Sequence, residues 1–159
     1  MKRIIITLIT LSLIVFCPVT TSNAAVIRQH SIEHLTDGSY YETTITTNDF
    51  HSYSLIRTAS LTRSANKTTT YTSSSGAKLW SVTVTGNFSY VKGKSSKCTS
   101  SSVSATAYSA SWKISNKSSS KSGNTATASA TVLQYSGARP VNSVTRKVSL
   151  TCDVNGNLS

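Results

Sequence analysis

From Trp80 to Tyr90 the chain alternates apolar and polar residues. Trp80, Val82, Val84, Phe88 and Tyr90 fall on one face, and Ser81, Thr83, Thr85, Asn87 and Ser89 on the other. A period of two is the mark of a half-buried β-strand, and Gly86 within it predicts a bend or bulge. The pattern returns downstream. Val103, Ala105 and Ala107 alternate, then Tyr108, Ala110, Trp112 and Ile114 alternate in the opposite phase. The slip between 107 and 108 predicts a bulge, or a kink where the chain changes sheets. Ala126, Ala128, Ala130 and Val132 form a further set. Val144, Val148, Leu150 and Cys152 form the last, with Arg146 interrupting the apolar series.

Turn residues fall between these runs. Ser73-Ser74-Ser75-Gly76 joins a strand at 67–72 to one at 77–91, Ser122-Gly123-Asn124 precedes the alanine-rich strand, and Ser136-Gly137-Ala138-Arg139-Pro140 joins the last two. Six short strands at this spacing predict an all-β fold, a small antiparallel β-sandwich of Ig-like or Greek-key type, over residues 63–159. One strand offers mostly alanine, so the core is expected to be thin.

Residues 25–62 show no steady period and read as a poorly ordered leader or spacer, with a possible strand at 40–47. Ahead of them, Lys2 and Arg3 precede the apolar run Ile4 to Phe16, Pro18 breaks it, and Ser22-Asn23-Ala24 sets small residues before a cut after Ala24. Residues 1–24 thus read as a secretory signal peptide, with an apolar run too short for a stable membrane span. Phe16 before Cys17 disfavours lipidation, which wants a small residue there. No later stretch is long and apolar enough to span a bilayer, so a secreted, extracellular protein is expected.

Removal of Cys17 leaves Cys98 and Cys152, an even number in an oxidising setting and not in a C-x-x-C arrangement. A single structural disulfide is expected. On a chain-entropy account, closing a loop of about 55 residues contributes roughly 4 kcal/mol.

Of the 135 residues after the cut, 49 are Ser or Thr, which suits either strands with wet outer faces or a disordered stalk; the periodicity selects strands. Charge is divided sharply. Residues 25–77 carry four basic and four acidic side chains. Residues 78–159 carry ten basic side chains and one acid, Asp153, for a net charge of +9.

The segments LWSVTVTGNFSY, SKCTSSSVS, SASWKIS, SKSGNTATASAT and VTRKVSLTCDVNGNLS resemble a group of small secreted Firmicutes proteins. These share a tryptophan-led strand, a Lys-Cys pair, a Ser/Lys-rich loop and a C-terminal Thr-Cys strand. The resemblance covers roughly residues 67–159. It implies a compact, disulfide-bonded, Ser/Thr/Lys-rich β-domain from a Gram-positive bacterium, and it brings no catalytic residues with it.

Motifs that suggest chemistry do not hold together. His30-Ser31-Ile32-Glu33-His34 fits H-x-x-E-H, in which two histidines one helical turn apart bind zinc and the glutamate is the base. Here it follows the cut closely, in the segment read as leader, and the only acid after Asp49 to serve as a third ligand is Asp153. Ser64-Ala65-Asn66-Lys67 and Ser118-Ser119-Ser120-Lys121 match S-x-x-K, a chance match in so hydroxyl-rich a chain, and no K-T-G accompanies them. The sequons at Asn66, Asn87, Asn116 and Asn157 have the same compositional origin. The β-domain has no histidine and one carboxylate, so paired-acid, histidine-based and carboxylate–metal mechanisms lack parts. A non-catalytic protein without cofactor or metal is expected.

The remaining signal is cationic. Lys92, Lys94 and Lys97 lie between Val91 and Cys98; Lys113, Lys117 and Lys121 flank and fill SNKSSSKSGN, expected as a loop; Arg139, Arg146 and Lys147 lie on the final hairpin. These nine are the candidate polyanion-binding residues. Lysine over arginine favours diffuse, salt-sensitive attraction, and no aromatic–arginine ladder for single strands or other sequence-specific nucleic-acid element is present. The leading expectation is a secreted interaction or adhesion module associating with anionic wall polymers such as teichoic acid. The alternatives are a toxin- or bacteriocin-like antagonist of anionic membranes and a carbohydrate-binding module. For the last, Tyr90, Tyr108, Tyr135 and Trp112 are candidate stacking residues, although Trp80 and Trp112 are expected in the core.

Overall fold

The computed structural model describes residues 26–47 and 60–159; the expected signal peptide and His51 lie outside them. The described residues form eight strands: β1 (Val26–His34), β2 (Tyr40–Thr47), β3 (Leu61–Thr72), β4 (Lys78–Val91), β5 (Ser95–Ala107), β6 (Trp112–Ser122), β7 (Thr125–Ser136) and β8 (Arg139–Thr151). β1 to β5 make one antiparallel sheet in chain order, and β6 to β8 make a second. The two sheets pack as a small β-sandwich, the class the periodicity predicts.

Two features of the fold differ from the expectation. The strands follow one another as meanders, not by a Greek-key crossing, because within 60–159 the turns inside each sheet are only two to three residues at β4–β5, β6–β7 and β7–β8 and five at β3–β4. Within this part the chain changes sheets once, through residues 108–111, where the sequence phase slips. In addition, residues 26–34, read from sequence as part of a poorly ordered leader, are strand β1, while the possible strand at 40–47 is β2. β2 pairs in full with β3, from Tyr40↔Thr72 to Thr47↔Ala65. Their hydroxyl-rich pattern hides this: few side chains announce a buried face, yet the backbone ladder is complete.

The segment SNKSSSKSGN is a strand and a turn, not a loop. It forms most of β6, paired with β7 from Asn116↔Thr131 to Ser122↔Thr125 after a bulge at Ser115. β6 is an edge strand, where neither face must be apolar and lysine discourages pairing with another chain.

Trp80, Val82, Val84 and Phe88 of β4 face Ala126, Ala128, Ala130 and Val132 of β7, with Trp112, Val148 and Leu150 completing the buried core. Alanine on β7 lets the sheets approach closely. Gly86 shows how closely: a Cβ there would lie 2.7 Å from the Phe88 ring and 3.0 Å from Ala126 Cβ. The bulge expected at Gly86 falls beside it, where Asn87 pairs with Ser100 and Phe88 with Cys98, leaving Thr99 unpaired in β5. Around Trp80, which is fully buried, Tyr71 and Tyr41 lie 5.4 and 5.9 Å away by ring centroid and Trp112 6.3 Å away. Such tilted pairs contribute beyond their buried area.

Cys98 and Cys152 are buried thiols in this structure; the expected disulfide is not formed. Both occupy inward-facing positions at the same end of the sandwich. The Cys98 N–H donates to Gly123 O at 2.8 Å, and the Cys152 N–H donates to Asn124 O, the next carbonyl, at 3.1 Å. Burial raises both thiol pKa values above the ordinary range.

Replacement of Gly86 by alanine is expected to cost about 1–3 kcal/mol by overpacking against Phe88 and Ala126. The check is the urea midpoint of the variant. A midpoint equal to that of the parent would mean that the sheets are not packed this closely.

Candidate anion-binding surfaces

Three strands cannot cover five. β5 lies against β6 and β7, β4 against β7 and β8, and β3 against β8, so β1 and β2 extend past the second sheet as a wing. The inward rows of the five-stranded sheet record the change. One row runs Gln29, Ile45, Lys67, Val84, Val103 from β1 to β5, and the next runs Ser31, Thr43, Thr69, Val82, Ala105. On β4 and β5 these rows are apolar. From β3 outward they turn polar, with the buried Ile45 as the exception.

The result is a cleft of about 550 Å³ between the wing and β8. Its floor is Ile45 with Thr43 and Thr69, whose hydroxyls meet at 3.0 Å. Gln29 and Ser31 line the β1 side, and Arg146, Lys147, Val148 and Ser149 the β8 side. Lys67 lies among them, half-buried. Among the described residues no carboxylate pairs with it, and burial lowers its ammonium pKa below the ordinary lysine value.

Arg146 explains itself here. It pairs with the buried Ala130 across β8 and β7, so it stands on the inner face, at the point where β8 meets the cleft instead of the core. Its guanidinium lies 4.2 Å from the Tyr41 ring centroid, and Nη2 donates to Glu33 Oε2 at 3.3 Å. It therefore straps the wing to β8. Its Nε is buried and has no hydrogen-bond partner among the described residues.

The other candidate cations divide by position. Lys92 and Lys94 occupy the β4–β5 turn, Lys97 the start of β5 and Lys121 the end of β6, and all four are exposed. Two turns bring them to one end of the sandwich, the end that carries both cysteines. Lys121 Nζ donates to Thr99 O across the gap between the sheets. Lys113 and Arg139 lie at the opposite end, with Lys113 Nζ 4.8 Å from the Tyr135 ring centroid. Lys117 sits midway along β6, Arg146 belongs to the cleft, and Lys147 beside it alternates to the outer face of β8. The nine are thus not one surface.

Two cations in these regions are not among the nine. Lys67 is legible in retrospect from the series Ala65, Lys67, Thr69, Tyr71, in which a lysine occupies the inward phase of a strand. Arg63 of β3 donates through Nη1 to Gly156 O and ties the wing sheet to the C-terminal turn. The H-x-x-E-H residues lie on β1, where a rise of roughly 3.3 Å per residue sets His30 and His34 about 13 Å apart, too far to share an ion. His30 Nε2 instead lies 2.9 Å from Glu42 Oε1. Trp112 is buried, and Tyr90 packs against the core; of the candidate stacking residues Tyr108 is exposed, at 54%, with its hydroxyl 3.0 Å from Ser81 Oγ.

Asp153, the one acid near the basic end, is engaged by its own turn. It accepts from the Asn155 and Asn157 N–H groups at 2.8 Å each and from Asn157 Nδ2 at 2.9 Å. These bonds, the Asn157 side chain first, lower its pKa. A depressed carboxylate stabilises the fold fully above the ordinary value of about 3.9, and the contribution is lost as pH falls through the depressed value. The amide signals of Asn155 and Asn157 are therefore expected to shift below the ordinary aspartate range in an acid titration, and D153N should abolish that step. Persistence of the step in D153N would assign it to another group. Comparison with family models, curated proteins and solved structures returns no match for this chain, and its own chemistry carries the functional reading.

Proposed function

We propose that this is a secreted, non-catalytic β-sandwich that associates with anionic polymers at a Gram-positive cell surface, teichoic acid being the fitting class. The observation that carries the reading is the grouping of Lys92, Lys94, Lys97 and Lys121 at one end, with Asp153 as the one acid in residues 78–159. The described acids Glu33, Asp37 and Glu42 lie on β1, β2 and the turn between them, and Asp37 is at the opposite end. The four lysines therefore have Asp153 as their one acidic neighbour among the described residues, while Asp37 shares the opposite end with Lys113 and Arg139. Exposed lysines present point charges to a polyanion within a Debye length of about 8–10 Å.

The cysteines bear on the same reading. In an oxidising exterior, two buried cysteines whose backbone N–H groups donate to neighbouring carbonyls of one turn would close as a disulfide and staple β5 to the C-terminal segment. Alkylation of the denatured, exported protein is expected to label neither Cys98 nor Cys152 before reduction and both afterwards. Labelling before reduction would mean the bond does not form.

The test of function is co-sedimentation with purified Gram-positive walls, with and without teichoic acid, across a salt series. Binding should require teichoic acid and weaken steeply with salt. With about 1 kcal/mol of attraction per lysine near an anionic surface, the K92Q/K94Q/K97Q/K121Q variant should bind at least tenfold more weakly. Binding indifferent to salt and to teichoic acid would sink the reading and favour a neutral glycan. Leakage of dye from anionic liposomes would favour the membrane antagonist.

A further inference from the structure

The cleft between the wing and β8 is chemically unlike the basic end. It is concave, half-buried and mixed: cations from two sheets, a floor of paired hydroxyls, and little apolar wall. We infer that it is a binding site for a small hydroxylated oxyanion, a phosphorylated or carboxylated polyol. This inference does not rest on the wall-binding reading and draws on different residues.

Three observations support it. First, β3 lies against β8, yet its inward positions opposite Val84 and Val82 of β4 are Lys67 and Thr69. Second, Lys67 is half-buried without a carboxylate partner among the described residues, and Arg146 Nε is buried and unsatisfied. A cation removed from water without a counter-ion is unfavourable, and an oxyanion in the cleft offsets that cost. Third, the cleft volume of about 550 Å³ suits a small ligand. The hydroxyls of Thr43 and Thr69 and the Gln29 amide match the hydroxyls of a polyol skeleton, while Lys67 and Arg146 match its charged group. Lys147 and Ser149 alternate to the outer face of β8, where the Ser149 hydroxyl meets that of Thr127.

Arg146 then has two tasks. Its Nη2 holds Glu33 and its ring contact holds Tyr41, so it fixes the wing at a set distance from β8. Lys67 has no such duty and is the residue to change. Replacement by methionine keeps the stem and removes the charge.

The experiment is an amide-resolved NMR titration of the purified protein with glycerol 3-phosphate, gluconate and neutral glycerol. Glycerol 3-phosphate, gluconate or both are expected to shift the signals of Thr43, Lys67, Thr69 and Arg146 saturably, and which of them binds more tightly identifies phosphate or carboxylate as the preferred group. Neutral glycerol should leave those signals in place. K67M should weaken binding at least tenfold while raising or keeping the thermal midpoint, and K147Q should weaken it less. The four-lysine variant of the basic end should bind these ligands unchanged, so failure here and failure of wall binding are separable. Absence of saturable shifts in the cleft, equal binding of neutral glycerol, or unchanged binding by folded K67M would each overturn the inference.

Discussion

The mismatch between a five-stranded and a three-stranded sheet governs the rest of this molecule. A sandwich buries only the area that both sheets share, and here that area is centred on β4 and β7. What lies beyond it must be polar, or be covered by something else. The inward rows change from valine on β4 to lysine and threonine on β3, at the margin of β8, and to threonine, serine and glutamine on β2 and β1, with Ile45 the buried exception.

Two kinds of packing hold the shared area together. Toward the β5–β6 connection, Trp80 sits in an aromatic group with Tyr41, Tyr71 and Trp112, which draws residues from β2, β3, β4 and β6 into one cluster. Toward the cysteine end, small residues take over: Gly86, Ala126 and the two cysteines allow a close approach that large side chains would prevent. The thin core is thus not a weakness in itself, since close contact restores the dispersion that fewer carbon atoms would lose.

The outward features follow from the same geometry. Strand edges and turns are the places where a small sandwich displays lysine without cost to its core, and four of the lysines gather where two turns meet. The cleft differs in kind. A half-buried lysine on the inward phase of β3 trades stability for the capacity to hold an anion, and Arg146 sets the width of the space in which that happens.

Much of the architecture was readable from residue order. The alternation from Trp80 to Tyr90 and the alanine series of β7 specified strands and a buried tryptophan, because a period of two leaves a local signature. The phase slip at 107–108 marked a bulge or a change of sheets, of which the fold takes the second. β1 and the part of β6 beyond Ile114 were not readable as strands, and β2 only as a possible one at 40–47. At an edge, or beyond the covering sheet, neither face is constrained to be apolar, so the periodic signal vanishes while the backbone ladder remains. Lys92, Lys94, Lys97 and Lys121 could be named from sequence but not brought together, and Lys67 and Arg146 could not be recognised as neighbours. Their meeting depends on which strands lie opposite each other and how far one sheet overhangs the other, and that is decided by packing across the sandwich rather than by any local run of residues.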